Sequence, residues 1–490
     1  MRSRINRLSF ISTVSPVERR LVPAAAPLGE AAAAPQTLVP VLPPEFSWLD
    51  YTTMLLHVAS EIEHSLMVQY LFAAYSMGGP QVPEALRGKV REWQETILGI
   101  AKEEMGHLVT VQNLLKVLGA PLNLDREDYP WGTDFYPFDF NLQHLTISAL
   151  AKYICAESPP EWEGAEADEI KELAALEVGR AVNEVGALYR RLLDILSNRD
   201  WIPDTAFRAY TLPYQASWDE WGRGYRRGER GQESGNVPTV RAPDVLIIPV
   251  WSRDSAQSAL SQIGQQGEAI GELTDGEGSH FARFLSIYRE IRELNAETQQ
   301  LVSRPVAKNP TTSQMLNQSA VQALRAARLG TEEPEPENWE ITHPEALSWG
   351  HLFNLRYRML LVNVASAFRL ASPLDNTEST TARGALINRA FAEMYNLRAI
   401  AGMLVQLPLD QDSVSGLQAG PPFEMPYTLD LPEHPHDRWI QQRELFCASQ
   451  DLVARTKQLA PPKRRQYLIA LEDSDRLALD QIEKIIRRSS

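Results

Sequence analysis

The stretch Ile97-Leu-Gly-Ile-Ala-Lys-Glu-Glu-Met-Gly-His-Leu-Val-Thr-Val-Gln-Asn-Leu-Leu-Lys-Val-Leu118 decides the fold. Steps of three and four from Ile97 pass through Ile100, Ala101, Glu104, His107, Leu108, Val111, Leu114, Leu115 and Leu118, a helical apolar stripe interrupted only by one carboxylate and one imidazole. A charge buried on such a face is costly unless something compensates it. The Glu-x-x-His spacing sets a carboxylate oxygen and a ring nitrogen one turn apart on one side, able to reach a common metal ion.

Upstream, the same walk from Leu56 gives Ala59, Glu63, Leu66, Met67, Tyr70 and Ala74, with Glu63 as the single charge; Glu61 and His64 fall beside His57 on another face and read as solvated. Downstream, a second Glu-x-x-His pair, Glu277 and His280, leads a face continued by Phe281, Phe284, Tyr288 and Ile291. Two Glu-x-x-His helices plus one glutamate from each of two others is the plan of a four-helix di-iron carboxylate site, and iron or manganese accepts carboxylates and imidazoles together. The remaining glutamate is expected from a helix over about 165–196. There Glu184 is flanked by Ala181, Ala187 and Leu188, and Glu177, two turns earlier, is the competitor.

Each residue also has a plainer reading. Surface helices are full of Glu and His at this spacing, and a single core histidine is usually there for its hydrogen bonds. The pairing, the order and the apolar setting on four helices favour metal. His434 and His436 read as solvated beside Asp437, His343 and His351 flank a helix start without a ligand partner, and the Trp and Arg cluster of 218–230 suits a covering loop as well as a ligand.

The 490 residues carry 48 Lys plus Arg against 63 Asp plus Glu, a formal charge of −15, which argues against a nucleic-acid or anionic-membrane binder. Two cysteines far apart exclude a disulfide scaffold and a cysteine-based metal site, and they fit a reducing, cytoplasmic setting. No apolar run is long enough to span a bilayer. Residues 1–45, with arginines at 2, 4, 7, 19 and 20, several prolines and no helical period, read as a flexible arm suited to a homodimer contact. The bundle is expected over 46–300 with an irregular Trp-, Gly- and Pro-rich covering segment at 199–250, and a second helical region over 301–490. The class is all-α.

At these residues the chain resembles the ferritin-like domain of the iminophenyl-pyruvate dimer synthase family. The matching stretches are Glu63-His-Ser-Leu-Met-Val-Gln-Tyr-Leu-Phe-Ala-Ala-Tyr-Ser76, Glu103-Glu-Met-Gly-His107 with Asn113-Leu-Leu, Ala156-Glu-Ser-Pro159, Gln266-Gly-Glu268, Ser279-His-Phe-Ala-Arg-Phe284 and Ala419-Gly-Pro-Pro-Phe-Glu424. The resemblance implies a ferritin-like bundle and, in its best-known members, oxidative coupling of amino-acid-derived imines. The family's Gln-Gly-Glu-Gly element, here Gln266-Gly-Glu-Ala269, makes Glu268 an alternative ligand to Glu277. The family's Ile-Gly-x-x-Tyr appears as Val185-Gly-Ala-Leu-Tyr189.

The expectation is therefore a non-haem di-metal oxidase or oxygenase holding two iron ions, with manganese the alternative, at Glu63, Glu104, His107, Glu184, Glu277 and His280. It would use dioxygen or peroxide on a small aromatic or amino-acid-derived molecule, with Tyr70, Phe281 and Phe284 walling the site. An iron-handling ferroxidase and a metal-free interaction protein are the competing readings; the length of the chain suits neither a short cage subunit nor storage.

Overall fold

The computed structural model describes residues 42–126, 136–221, 247–268, 278–313, 339–372, 381–425 and 429–489. Residues 1–41 of the expected arm, most of the second half of the covering segment, residues 314–338 of the expected second helical region and Glu277 lie outside them.

Helices dominate. Those of ten residues or more among the described residues are, in chain order, α1 (Trp48–Ser76), α2 (Arg87–Val117), α3 (Ile147–Ala156), α4 (Ala165–Val178), α5 (Val185–Ser197), α6 (Arg253–Glu268), α7 (His280–Arg292), α8 (Pro344–Ala367), α9 (Ala382–Leu404), α10 (Pro435–Leu459) and α11 (Pro462–Ser489). Two-residue strands β1 (Pro310–Thr311) and β2 (Trp339–Glu340) pair in parallel. No described helix is long and apolar enough to cross a membrane.

The chain forms two compact units. Unit 1 comprises Met1–Met67, Lys102–Phe140 and Ile147–Glu293, and unit 2 comprises Val68–Ala101, Asn141–Thr146 and Leu294–Ser490. The division cuts α1 and α2, so neither unit is one continuous stretch of sequence.

In unit 1, α3 packs on α4 and α7, and α6 on α5 and α7. Eight consecutive α3 residues, Ala149 to Ala156, are buried, which marks it as a core helix enclosed on all sides. Fully burying one such Leu or Ile is worth roughly 1.5–3 kcal/mol. Gln112 on α2 donates to Ser60 Oγ on α1 at 2.7 Å and to the Asn123 carbonyl at 2.8 Å. The chain after α2 is thereby laid along α1, where Asn123 reaches Glu61 at 3.0 Å and Tyr136 Oη reaches it at 2.5 Å. This cover corrects the reading of His64 as solvated. It is fully buried, with Nδ1 3.3 Å from the Asp125 carbonyl, and burial together with nearby Arg126 lowers its pKa to about 3.

The helix expected over 165–196 is two helices. Gly179 caps α4 in the left-handed region at φ 78°, which a side chain would oppose, and five non-helical residues follow before α5. The described parts of the covering segment are irregular, with 3₁₀ turns at Asp204–Ala206 and Ala209–Tyr214 and one helical turn at Trp218–Trp221. They are pinned to α2 by Asn113, whose Nδ2 donates to the carbonyls of Ala216 at 2.8 Å and Ile248 at 2.9 Å while its Oδ1 accepts from the Ala216 amide at 2.8 Å.

In unit 2, α8 packs on α9 and α10, and α10 on α11. Leu355, Met359, Val362, Leu445, Phe446, Ile482 and Ile486 form a core shared by α8, α10 and α11.

Candidate metal centre

Local structure brings five side chains together inside unit 1. Glu63 lies on α1, and Glu104 and His107 lie one turn apart on α2. Glu157 follows the last residue of α3, where its amide still bonds to the Tyr153 carbonyl at 3.1 Å and Pro159 and Pro160 prevent the helix from continuing. Ser279 caps α7 by accepting from the Ala282 amide at 3.2 Å, which fixes His280 at the first helical position.

Among the described residues, two groups have donor atoms within 4.8 Å of one another: Glu63, Glu104 and His107, and Glu104, Glu157 and His280. Glu104 belongs to both, and all five residues are buried. His107 Nδ1 stands 3.1 Å from Glu104 Oε2 and 3.3 Å from Glu63 Oε2. His280 Nδ1 stands 2.9 Å from Glu104 Oε1 and 3.7 Å from Glu157 Oε2. The two rings are stacked at 5.4 Å.

Glu104 Oε1 and His280 Nδ1 face each other across that 2.9 Å gap as a buried ion pair whose orientation is not that of a hydrogen bond. Buried polar atoms so close and so poorly aligned for a hydrogen bond call for an explanation. Atoms bound to one small divalent ion at about 2.1 Å and at right angles lie about 3 Å apart, so this spacing fits shared coordination. Carboxylates mixed with imidazoles suit iron or manganese.

The electrostatics agree. Burial and the neighbouring Glu104 push the Glu63 carboxyl up to about 8, although His107 opposes them. Burial works against a charged His107, but Glu63 and Glu104 outweigh it and push its pKa up to about 10. His280 is likewise raised well above its ordinary value by Glu104, Glu103 and Glu157 in spite of burial. Burial raises Glu104, and the imidazoles outweigh it and hold the carboxyl below its usual range. Positive charge is thus drawn strongly into this place.

A ring of supporting groups surrounds the five. His107 Nε2 meets Gln266 Oε1 on α6 at 2.8 Å. His280 Nε2 meets Glu103 Oε2 at 2.9 Å, and Arg283 bonds both oxygens of that carboxylate. Tyr189 on α5 donates its hydroxyl to Glu63 Oε1. Two glycines make room: a Cβ on Gly267 would lie 3.1 Å from Glu157 Oε2, and one on Gly186 would collide with the Glu268 carboxylate.

Of the residues expected to bind metal, Glu63, Glu104, His107 and His280 are brought together. Glu184 is not, because the break at Gly179 makes it the residue preceding α5, part-exposed and paired with Arg190 at 3.0 Å. Glu268 pairs with the same arginine at 2.9 Å, and burial lifts its carboxyl to about 7. Glu177 is exposed on α4. Phe281 is buried edge-on to Trp162 with centroids 5.0 Å apart, and Phe284 is buried against Tyr153 at 5.7 Å. Tyr70 is buried on α1 within unit 2.

Glu157, Glu103, Tyr189 and Gln266 are not among the residues that the sequence pattern assigns to the centre. Helical periodicity cannot find Glu157, which follows a helix end, nor Glu103, which lies off the apolar stripe. All four stand in the stretches that carry the family resemblance, and that is the signal the sequence offers for them.

The family model described as ferritin-like matches residues 56–289. Dichlorochromopyrrolate synthase of Lentzea aerocolonigenes is 28% identical over 400 residues, covering 74% of this chain and 35% of the relative. The 2-imino-3-(indol-3-yl)propanoate dimerase of Chromobacterium violaceum is 26% identical over 408 residues, covering 76% and 33%. The chain therefore spans about a third of the length of the curated relatives it matches. The crystal structure of a ferritin like protein from Caulobacter vibrioides covers 60% of this chain and 91% of its own at 18% identity, with a TM-score of 0.31. Residues 56–289 of this all-α chain thus match a ferritin-like domain, and the chain is similar to a synthase and a dimerase of the kind its motifs resemble.

Proposed function

We propose that the protein is a non-haem di-metal oxidase or oxygenase, acting on a small aromatic or amino-acid-derived metabolite in specialised-metabolite biosynthesis. The name of the second relative makes an indolyl imino acid the leading substrate class. The observation that carries the reading is the pair of buried three-residue groups sharing Glu104.

Glu63, Glu104 and His107 would hold one ion, and Glu104, Glu157 and His280 the other. Two bound iron ions, or manganese in their place, would supply redox chemistry with dioxygen or peroxide that amino-acid side chains cannot. The chain's own residues position and shield. Tyr189 orients Glu63 by donating its hydroxyl to Glu63 Oε1. Gln266 and Glu103 fix the ring planes so that both Nδ1 atoms point inward. Phe281, Trp162, Phe284 and Tyr153 place aromatic rings beside α7, which limits water and favours an apolar substrate. A cytoplasmic setting and a homodimer complete the proposal.

Metal analysis after mild purification should find about two iron or manganese ions per chain, two being the number of donor groups. Oxygen consumption should then require an organic substrate such as an aromatic imino acid. Uptake driven by ferrous iron alone would make the protein a ferroxidase instead, and a chain purified without metal that binds none when offered would leave only an interaction role.

A further inference from the structure

The two imidazoles of the cluster differ in what stands behind them. Both rings turn Nδ1 inward and Nε2 outward. Behind His107 is the neutral amide of Gln266, at 2.8 Å. Behind His280 is the carboxylate of Glu103, at 2.9 Å and fully buried. Resting on the di-metal reading above, we infer that the two ion positions are unequal. The position of Glu104, Glu157 and His280 binds a divalent cation more tightly and fills first.

An imidazole that donates its outer N–H to a carboxylate is a stronger donor through its other nitrogen than one that donates to an amide, because the anion stabilises the positive charge the ring takes on when it binds a cation. Glu103 is built for this. It immediately precedes the shared ligand Glu104 on α2, and Arg283, one turn after His280 on α7, grips both its oxygens and holds it against the ring. The arginine reduces but does not cancel the effect. Its side chain is 19% exposed and partly screened by water, whereas Glu103 is 0% exposed and in direct contact with the ring.

The other position is weakened from a second side. Glu63 receives the Tyr189 hydroxyl on Oε1, and that hydrogen bond draws charge from a carboxylate that serves only the His107 group. Glu103 and Gln266 are positioning residues that act through the rings.

The test is cobalt(II) titration of the full chain stripped with chelator, read by calorimetry, with anomalous diffraction from crystals holding one equivalent. Two steps separated about 10-fold or more are expected, since outer partners of ligand histidines typically carry 10- to 100-fold in affinity. The first ion should lie beside His280. Glu103→Gln keeps an acceptor for the ring while removing the charge, and should bring the two steps together. Gln266→Glu places a carboxylate behind His107 and should tighten the second step about 10-fold, a gain that structural damage cannot produce. Equal steps in the unaltered protein, a first ion beside His107, or a Gln266→Glu variant that binds no tighter each overturn the inequality while leaving two metals in place. Uptake of no ion overturns the metal reading itself.

Discussion

Each unit buries a knot of charge drawn from several helices, and the two knots are neutralised differently. In unit 2 the centre is Arg356 on α8, fully buried, with Glu393 of α9 at 3.0 Å, Ser449 of α10 at 2.5 Å and Asp475 of α11 in contact. Asn396 supports Glu393 at 3.0 Å, and Tyr467 supports Asn396 at 3.0 Å. The chain carries its own cation there, and every helix of the α8–α11 set contributes a partner. In unit 1, Glu63 and Glu104 meet imidazoles and one another, and among the described residues neither has a lysine or arginine partner. The available arginine, Arg283, is held by Glu103. A fixed guanidinium makes a structural knot; its absence leaves room for a cation from solution.

The largest effect should come from Arg356→Ala. Removing one partner of a buried ionic network strands the others, here Glu393 and Asp475, at a cost of about 3–5 kcal/mol. Denaturant unfolding followed by hydrogen exchange should show the loss of protection in α8–α11, and it should be the same with and without metal. A loss under about 1 kcal/mol would mean that those carboxylates find other compensation.

Chelation should act on the other knot. A ligand present at about 100 times its dissociation constant stabilises the folded state by roughly 2.7 kcal/mol, so stripping metal should lower the protection of α3, α6 and α7 while leaving α8–α11 unchanged. Glu63→Gln sharpens the contrast. Burial and Glu104 push the Glu63 carboxyl up to about 8, so it is mostly neutral at pH 7 without metal, and the metal-free variant should be about as stable as the metal-free parent although it retains less metal. Should chelation leave hydrogen exchange untouched, or should Glu63→Gln cost as much as Arg356→Ala, the carboxylate cluster is structural and the distinction between the units fails.

How much of this is legible in the chain follows from what periodicity can report. Helices α1, α2, α6 and α7 and the positions of Glu63, Glu104, His107 and His280 can be read, because a lone charge on a 3.6-residue apolar stripe is a local signal. Glu157 is hidden because it lies one residue past the end of α3, where a side chain's direction depends on how the helix terminates. Glu103 is hidden because its partners on α7 are nearly 180 residues away in sequence and its own face is not apolar. His64 reads wrongly as solvated because its cover comes from the chain after α2, which no pattern in α1 announces. The two units are likewise assembled from distant segments, and the line between them runs through helices whose periodicity continues without a break.

The fourth carboxylate turns on the smallest of these features. Continuous periodicity over 165–196 would make Glu184 an inward ligand, and within a continuous helix Gly179 would be a weak point that alanine improves by about 1 kcal/mol. In the structure Gly179 has φ 78° and nothing within 4 Å of where a Cβ would stand, so neighbours add nothing and the backbone alone sets the cost. A side chain in the left-handed region loses roughly 1–2 kcal/mol. The two arrangements therefore predict opposite signs for one substitution. Gly179→Ala should lower the unfolding free energy by about 1 kcal/mol, and Glu184→Gln should leave the metal content unchanged, because Glu184 reaches Arg190 and not the cluster. A stabilised Gly179→Ala protein together with a Glu184→Gln variant that loses an ion would join α4 to α5 and return Glu184 to the centre in place of Glu157.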